Sequence, residues 1–399
     1  MPDPTGPTEA RLAPLIQPPR LRTGEERTAT RLELFFDLAY VLAVAEIAST
    51  YYKDPTWHGT LVFAGLFTVV WWSWVTTTIY ANRFDTNDVI YRLAKLAGAF
   101  AAAGLAASAT RAVGEDSVPF AACYLGLRIL LFLLYLRAYR HVPEARPNIR
   151  VYLAATGAGA LLWGISLLLP EPARYVLWAL GVLVDMAGPF VATRVTGNVP
   201  LHLEHLPERF GLFVILVLGE SVAAVVTGLQ ETHWKVNSLI VAALGFTVAA
   251  ALWWSHFDLG GAAAKRRLIV RGGEEVSVEH DAYVFTHLPI TLGLAAAGVG
   301  IEHFVVHPVG ELSTGAQWPL YGGVGMYLLG TTALLIATTR DPRAGWPWPG
   351  VAVPMILLLG VFTFIPPMLS TAAVTAVVVA TVLAGIRKQR KGELETTET

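Results

Sequence analysis

RLELFFDLAYVLAVAEIAST (residues 31–50) is apolar enough to cross a bilayer, yet it carries Glu33, Asp37 and Glu46. A carboxylate in hydrocarbon costs a few kcal/mol even on the mildest insertion scale. Three acids in one segment must therefore be held by neighbouring protein. What holds them decides what surrounds this helix.

The whole chain reads as a membrane protein. Of its 399 residues, 54% are hydrophobic and 15% charged, where a soluble domain carries about a quarter charged; mean hydropathy is +0.52. Apolar runs of about twenty residues recur at roughly twelve places: 32–51, 58–80, 90–112, 118–139, 149–169, 173–196, 209–229, 236–257, 281–304, 316–338, 350–366 and 368–387. Pro366 and Pro367 leave 350–387 as either two spans or a kinked hairpin. The expected class is all-α and polytopic. Residues 1–31 are rich in Pro, Thr and Arg, with no apolar core of signal-peptide length; they are expected to form a disordered, uncleaved cytoplasmic tail, and 388–399 a second tail. Cys123, the single cysteine, lies in an apolar run and reads as a small buried side chain. With 29 Lys and Arg against 30 Asp and Glu, nothing points to nucleic acid.

The positions of the basic residues set an orientation. Arg20, Arg22, Arg27 and Arg31 precede the first span; Arg83, Arg140, Arg146, Arg150, Lys265, Arg266, Arg267, Arg271, Arg340 and Arg343 fall in every second loop; and Arg387, Lys388, Arg390 and Lys391 end the chain. The other loops hold only Lys53, Arg111, Arg174 and Lys235. The positive-inside rule then expects both termini in the cytoplasm and an even number of spans.

An internal repeat is expected as well. FFDLAYVLAVAEIA (35–48) aligns without a gap to RFGLFVILVLGESV (209–222), placing Phe36 on Phe210 and Glu46 on Glu220. WWSW (71–74) and AAAGL (101–105) return as WWSH (253–256) and AAAGV (295–299), in the same order. Two parallel six-helix units follow, 32–200 and 201–387, related by a pseudo-twofold axis along the membrane normal.

ELFFDL (33–38), ANRFDTND (81–88) followed by YRL, HLPERFGLFVILVLGES (205–221) and DAYVFTHLPITLG (281–293) resemble the signature segments of the bacterial low temperature requirement A family, in the right order and over nearly the whole membrane region. The resemblance implies a bacterial cytoplasmic membrane protein with a role in growth in the cold. No reaction, substrate or cofactor comes with it. RLELFFD is more loosely similar to the motif opening each six-span repeat of the lysosomal potassium channel family, an Arg followed by Phe-Ser-Asp; here Phe36 replaces the Ser, and the second repeat has RFGL with no Asp.

The polar residues at membrane depth carry the chemistry. Glu33 and Asp37, four apart, share a face near the cytoplasmic end of the first span. Glu46 lies roughly 14 Å farther along and about 180° around the helix. Glu220, its counterpart in the repeat, is expected to approach it across the axis. Two facing carboxylates in low dielectric cannot both stay charged comfortably, so the pair can hold or exchange a proton, or bind a cation; each is otherwise a neutral acid bonded to another helix, or a partner for Arg128. Arg128 and Asp185 sit mid-span and read either as a salt bridge locking two spans or as a substrate site. Arg83, Asp85, Asp88 and Arg92 form a candidate cytoplasmic gate, with Asp88, Arg92 and Lys95 on one helical face as a capping and salt-bridge cluster. His287, one turn from Tyr283, is a proton-relay candidate or a packing histidine. His202, His205, His256 and Asp258 invite a metal reading, but Pro207 follows soon after and the sequence settles no third ligand, so a polar loop is the plainer view.

No GxSxG, Walker, Rossmann or CxxC pattern is present. Three function classes remain. A proton- or cation-coupled transporter of an unknown small solute or ion would show a polar midplane cavity bridging both halves. An intramembrane enzyme acting on lipid would gather Asp37, Asp85, His256, Asp258 and His287 into one metal-sized site. A cation channel would show an axial pore. The expected partners are membrane lipid and that solute or ion, and a homo-oligomer is compatible with all three.

Overall fold

The computed structural model describes residues 15–22, 30–196, 205–260, 276–310, 312–339, 348–362 and 364–397. The basic loop 265–271, together with Arg27, His202, Arg340 and Arg343, lies outside the described residues.

Among the described residues the chain is all-α apart from one ribbon of two two-residue strands. Helix α1 (Arg31–Lys53) starts on a capping box in which the Thr30 side chain accepts from the Glu33 amide and Glu33 answers to the Thr30 amide. Helix α2 (Trp57–Arg83) is capped by Thr56, and α3 (Val89–Ala109) by Asp88. Helix α4 (Ser117–His141) passes through a short 3₁₀ turn into α5 (Arg146–Ser166), which has Pro147 in its first turn. Then come α6 (Ala173–Thr196), α7 (His205–Glu231), α8 (Val236–Trp254), α9 (Val276–Val306) and α10 (Thr314–Thr339). The last two are α11 (Val353–Leu359) and α12 (Pro367–Thr397).

Among the described residues, ten helices are long and apolar enough to cross a membrane. Helix α1 has the length, 23 residues, carries Arg31, Glu33, Asp37, Glu46 and Lys53, and is not among the ten. It lies at the centre instead, packed on α2, α3, α7 and α9. Glu33 and Asp37 are buried against these neighbours, whereas Glu46 is exposed.

The span expected at 350–366 is not a full helix. Met368 N donates to Pro308 O, so α12 begins beside the end of α9, and Gln389 donates to Asp258 O at the far end of α8. The chain must cross between Thr339 and Pro367. The apolar helix there runs only Gly350–Leu359, about 15 Å of rise or half the hydrocarbon thickness. A π turn (Trp348–Ala352) precedes it and non-helical backbone follows. The helix stops at Leu359 with Gly360 as its C-cap, and Pro366 and Pro367 lie at the start of α12, where proline is compatible with a first helical turn.

Residues 15–22 correct the expectation of a wholly disordered tail. Strand β1 (Arg20–Leu21) pairs antiparallel with β2 (Phe84–Asp85) at the turn between α2 and α3. Close helix contact elsewhere depends on glycine. A Cβ added at Gly323 of α10 would lie 2.5 Å from Ala297 N and 2.6 Å from Gly293 O of α9, and small residues are what allow such backbone approach between membrane helices.

Candidate functional site

Asp37 of the opening stretch meets an arginine from the far half of the chain. Arg209 Nη2 donates to Asp37 Oδ1 at 2.8 Å, and Trp74 Nε1 donates to the same oxygen at 2.8 Å. Both charged side chains are buried. Trp74 packs between Phe210 and Phe213 of α7, so aromatic contact and ion pair join α1, α2 and α7 at one point. The sequence reading missed Arg209. Its signal was an arginine at the head of the apolar run 209–229, next to the repeated Phe210.

Two residues earlier in WWSW, Trp72 serves a second carboxylate. Its indole N–H donates to Asp185 Oδ2 at 3.1 Å, Arg128 Nη1 reaches the same oxygen at 2.5 Å and Thr156 donates to Oδ1 at 3.2 Å. Arg128 thus pairs with Asp185, not with Glu46 or Glu220. Between the two indoles, Ser73 donates to the Tyr40 hydroxyl of α1. Helix α2 therefore links both buried ion pairs, through Trp72 and Trp74, to its neighbours.

The position matching Trp74 in the repeat is His256, which lies in a π turn (Ser255–Gly260) continuing α8. Extra-wide turns of this kind re-aim a side chain and recur at functional sites. His256 and His287 of α9 have ring centroids 5.7 Å apart, and His287 also packs on Phe210 and Tyr283. His287 Nδ1 contacts Tyr283 O at 2.7 Å; its Nε2 and His256 Nδ1 are buried without a hydrogen-bond partner among the described residues. Asp37, His256 and His287 thus point inward, whereas Asp85 and Asp258 are exposed at separate places. Among the described residues no group of three or more His, Cys, Asp or Glu gathers as a metal site. His202 lies outside the described residues, as does the side chain of His205.

The gate residues do not form one cluster either. Asp88 caps α3 and pairs with Arg137 at 2.6 Å, Arg83 donates to Asn148 and lies over Tyr152, and Arg92 donates to Asn87. Lys95 turns inward instead of joining Asp88 and Arg92, because its ammonium sits 4.0 Å above the Phe36 ring on α1. Asp88 also accepts from Gln17 N, and Arg137 donates to Gln17 O, which holds residues 15–22 over this end. Burial pushes the Asp88 carboxyl up, but hydrogen bonds from Arg137 and from the Tyr91 and Gln17 amides outweigh it and hold it below the usual aspartate range.

A second polar layer lies farther along the helices. Glu46 and Glu220 each sit fifteen residues after the start of their helix, about 22 Å along it. The charge of Glu46 acts on Glu220, and those of Glu220 and Glu231 act on Glu302 of α9. Glu46 is exposed, and Glu220 and Glu302 are half-buried. Glu302 was not foreseen, although an acid inside an apolar run was the same cue. Near this layer a cavity of about 650 Å³ is lined from α1, α2, α9 and α10, including Tyr51, Phe63, Leu292, Ala296, Trp318 and Met326.

The ten membrane-length helices among the described residues, with their buried ion pairs, define a multi-pass α-helical membrane protein. The chain belongs to the bacterial low temperature requirement A protein (LtrA) family, whose profile matches residues 28–384. It is also 26% identical, over 334 residues covering 80% of each chain, to an uncharacterised protein of Rhizobium meliloti (strain 1021).

Proposed function

We propose that the chain is a proton- or cation-coupled secondary transporter of the bacterial cytoplasmic membrane, with both termini cytoplasmic and two parallel six-span halves, 32–200 and 201–387. The observation that carries this reading is the chain of carboxylates on α1, α7 and α9 in which Glu46 lies within electrostatic reach of Glu220, and Glu220 of Glu302. Acids so placed in a low-dielectric region repel when all are charged. Binding a proton or a cation relieves that repulsion, and losing it restores the repulsion, which couples ion occupancy to helix position.

Other features agree with this reading. The pairing of α1 with α3 is matched by that of α7 with α9, as a repeat requires. The cavity of about 650 Å³ takes its walls from both halves. The broken crossing at 348–366 is the kind of irregular backbone that transporters place beside a binding site. The enzyme alternative needed Asp85 and Asp258 gathered with the histidines; both are exposed while His256 and His287 are buried, and among the described residues no group of three or more His, Cys, Asp or Glu gathers as a metal site.

Purified protein in liposomes with an internal pH dye tests the reading. Imposed proton and cation gradients should give a flux that Glu46→Gln or Glu220→Gln reduces at least tenfold. Equal flux in wild type and both variants rejects carboxylate coupling.

A further inference from the structure

Arg209 is bonded to Asp37 and Lys95 lies over the ring of the neighbouring Phe36, and the cluster holds more N–H donors than acceptors. Lys95, Arg209 and Asp37 are 2%, 1% and 2% exposed. Arg209 Nη2 and Trp74 Nε1 both use Asp37 Oδ1. That leaves Asp37 Oδ2, Arg209 Nη1 and Lys95 Nζ buried with no hydrogen-bond partner among the described residues. An ammonium carries three donors and a guanidinium terminal nitrogen two, so one open carboxylate oxygen cannot satisfy them. Lys95 feels the charges of Glu33, Asp37 and Arg209, which places the two cations in one neighbourhood. Glu33 is engaged by Thr30 through the α1 cap.

We propose that Lys95 and Arg209 form a binding site for an oxyanion, the carboxylate or phosphate group of an organic anion. Such a group brings several acceptor oxygens at once. The open Nη1 of Arg209 suits one of them and the Lys95 point charge another. A phosphate that keeps one proton also donates to Asp37 Oδ2 and fills the remaining open position. Helix α3 supplies Lys95 and α7 supplies Arg209, so the bound group ties the two halves together beside the ion pair that already joins them. This deepens the transporter reading by naming the charged group of its cargo. Binding is measured without flux, so failure of either idea is distinguishable from failure of the other.

The test uses full-length protein in neutral detergent, titrated with inorganic phosphate and with acetate against chloride at constant ionic strength, and followed by calorimetry and thermal unfolding. Wild type should bind phosphate or acetate and unfold at higher temperature in its presence. Lys95→Met should weaken that binding at least tenfold, while Lys95→Arg keeps most of it. A merely structural lysine would instead lower the unfolding temperature in Lys95→Met and leave the anion response unchanged, which overturns the proposal, as does a wild type that treats phosphate, acetate and chloride alike. Should Lys95→Met not fold, wild type labelled with ε-¹⁵N-lysine decides: the Lys95 resonance, assigned by its loss in Lys95→Arg, shifts with phosphate if the site exists and stays fixed if it does not. Repeating the titration in phosphatidylcholine and phosphatidylglycerol bilayers separates the sources. A response lost only in phosphatidylglycerol identifies a lipid headgroup as the natural oxyanion, and one retained in both identifies a soluble anion.

Discussion

Arg209 and Asp37 are 172 residues apart in sequence and 2.8 Å apart in space, fully removed from solvent and shared with the indole of Trp74. Breaking a buried pair by removing one partner costs about 3–5 kcal/mol, because the other charge is left unpaired. Asp37→Asn and Arg209→Met should each destabilise by about that much, and the double variant should lose less than the sum. Unfolding in detergent with a double-mutant cycle measures the coupling. Strict additivity would mean that the pair contributes no coupling.

The Asp185 site has more hydrogen-bond donors around it, so its loss should be graded. Trp72→Phe and Thr156→Val each remove one neutral donor and should cost about 1 kcal/mol, whereas Asp185→Asn strands Arg128 and should cost about 3–5 kcal/mol. Thermal unfolding of the three variants gives the order. A Trp72→Phe loss as large as that of Asp185→Asn would show that indole packing, not the ion pair, dominates there.

Asp88 gives a pH dependence whose sign is determined. Its folded-state acidity is strengthened, so the stability it contributes is complete above the ordinary aspartate value, about 3.9, and is lost as pH falls through the depressed folded value. Residues 15–22 should therefore stay docked at neutral pH and release in strong acid, and Asp88→Asn should release them at pH 7. Hydrogen exchange at Arg20–Leu21 and Phe84–Asp85, the paired strands, reads the release. Unchanged protection in Asp88→Asn would exclude Asp88 as the latch.

Gly323 tests the packing of the second half. An added methyl would overlap backbone atoms of α9 at 2.5 and 2.6 Å, and backbone cannot yield as a flexible side chain can. Gly323→Val should sharply reduce the folded yield in membranes. Gly322→Ala, one position away with open space around it, should be tolerated. Equal yields of the two would mean that α9 and α10 separate easily.

Much of the helical framework was readable because each crossing must be a long apolar run with its backbone bonds satisfied internally. The α11 region escaped that logic, since a run of apolar residues does not say that its helix stops at Leu359. Arg128 and Asp185 were legible as partners because charges so deep in an apolar run need one. Arg209 was hidden behind the expectation that the repeat would pair like with like: it aligns with Phe35, and its partner Asp37 aligns with Gly211, so symmetry concealed the contact. Lys95 was misplaced because helical spacing puts it on the face of Asp88 and Arg92, while the rotamer that lays it over Phe36 is decided by α1. The inward turn of His256 rests on a π turn that composition does not announce.

The central claim is that carboxylates contributed by α1 and α7 couple ion binding to transport. The most direct measurement is the proton or cation flux of reconstituted protein carrying Glu46→Gln, Glu220→Gln or both, under an imposed gradient. The account predicts a flux in wild type, a loss of at least tenfold in each single variant, and no further loss in the double variant, since the two act as one unit. Wild-type flux retained in the double variant would contradict it.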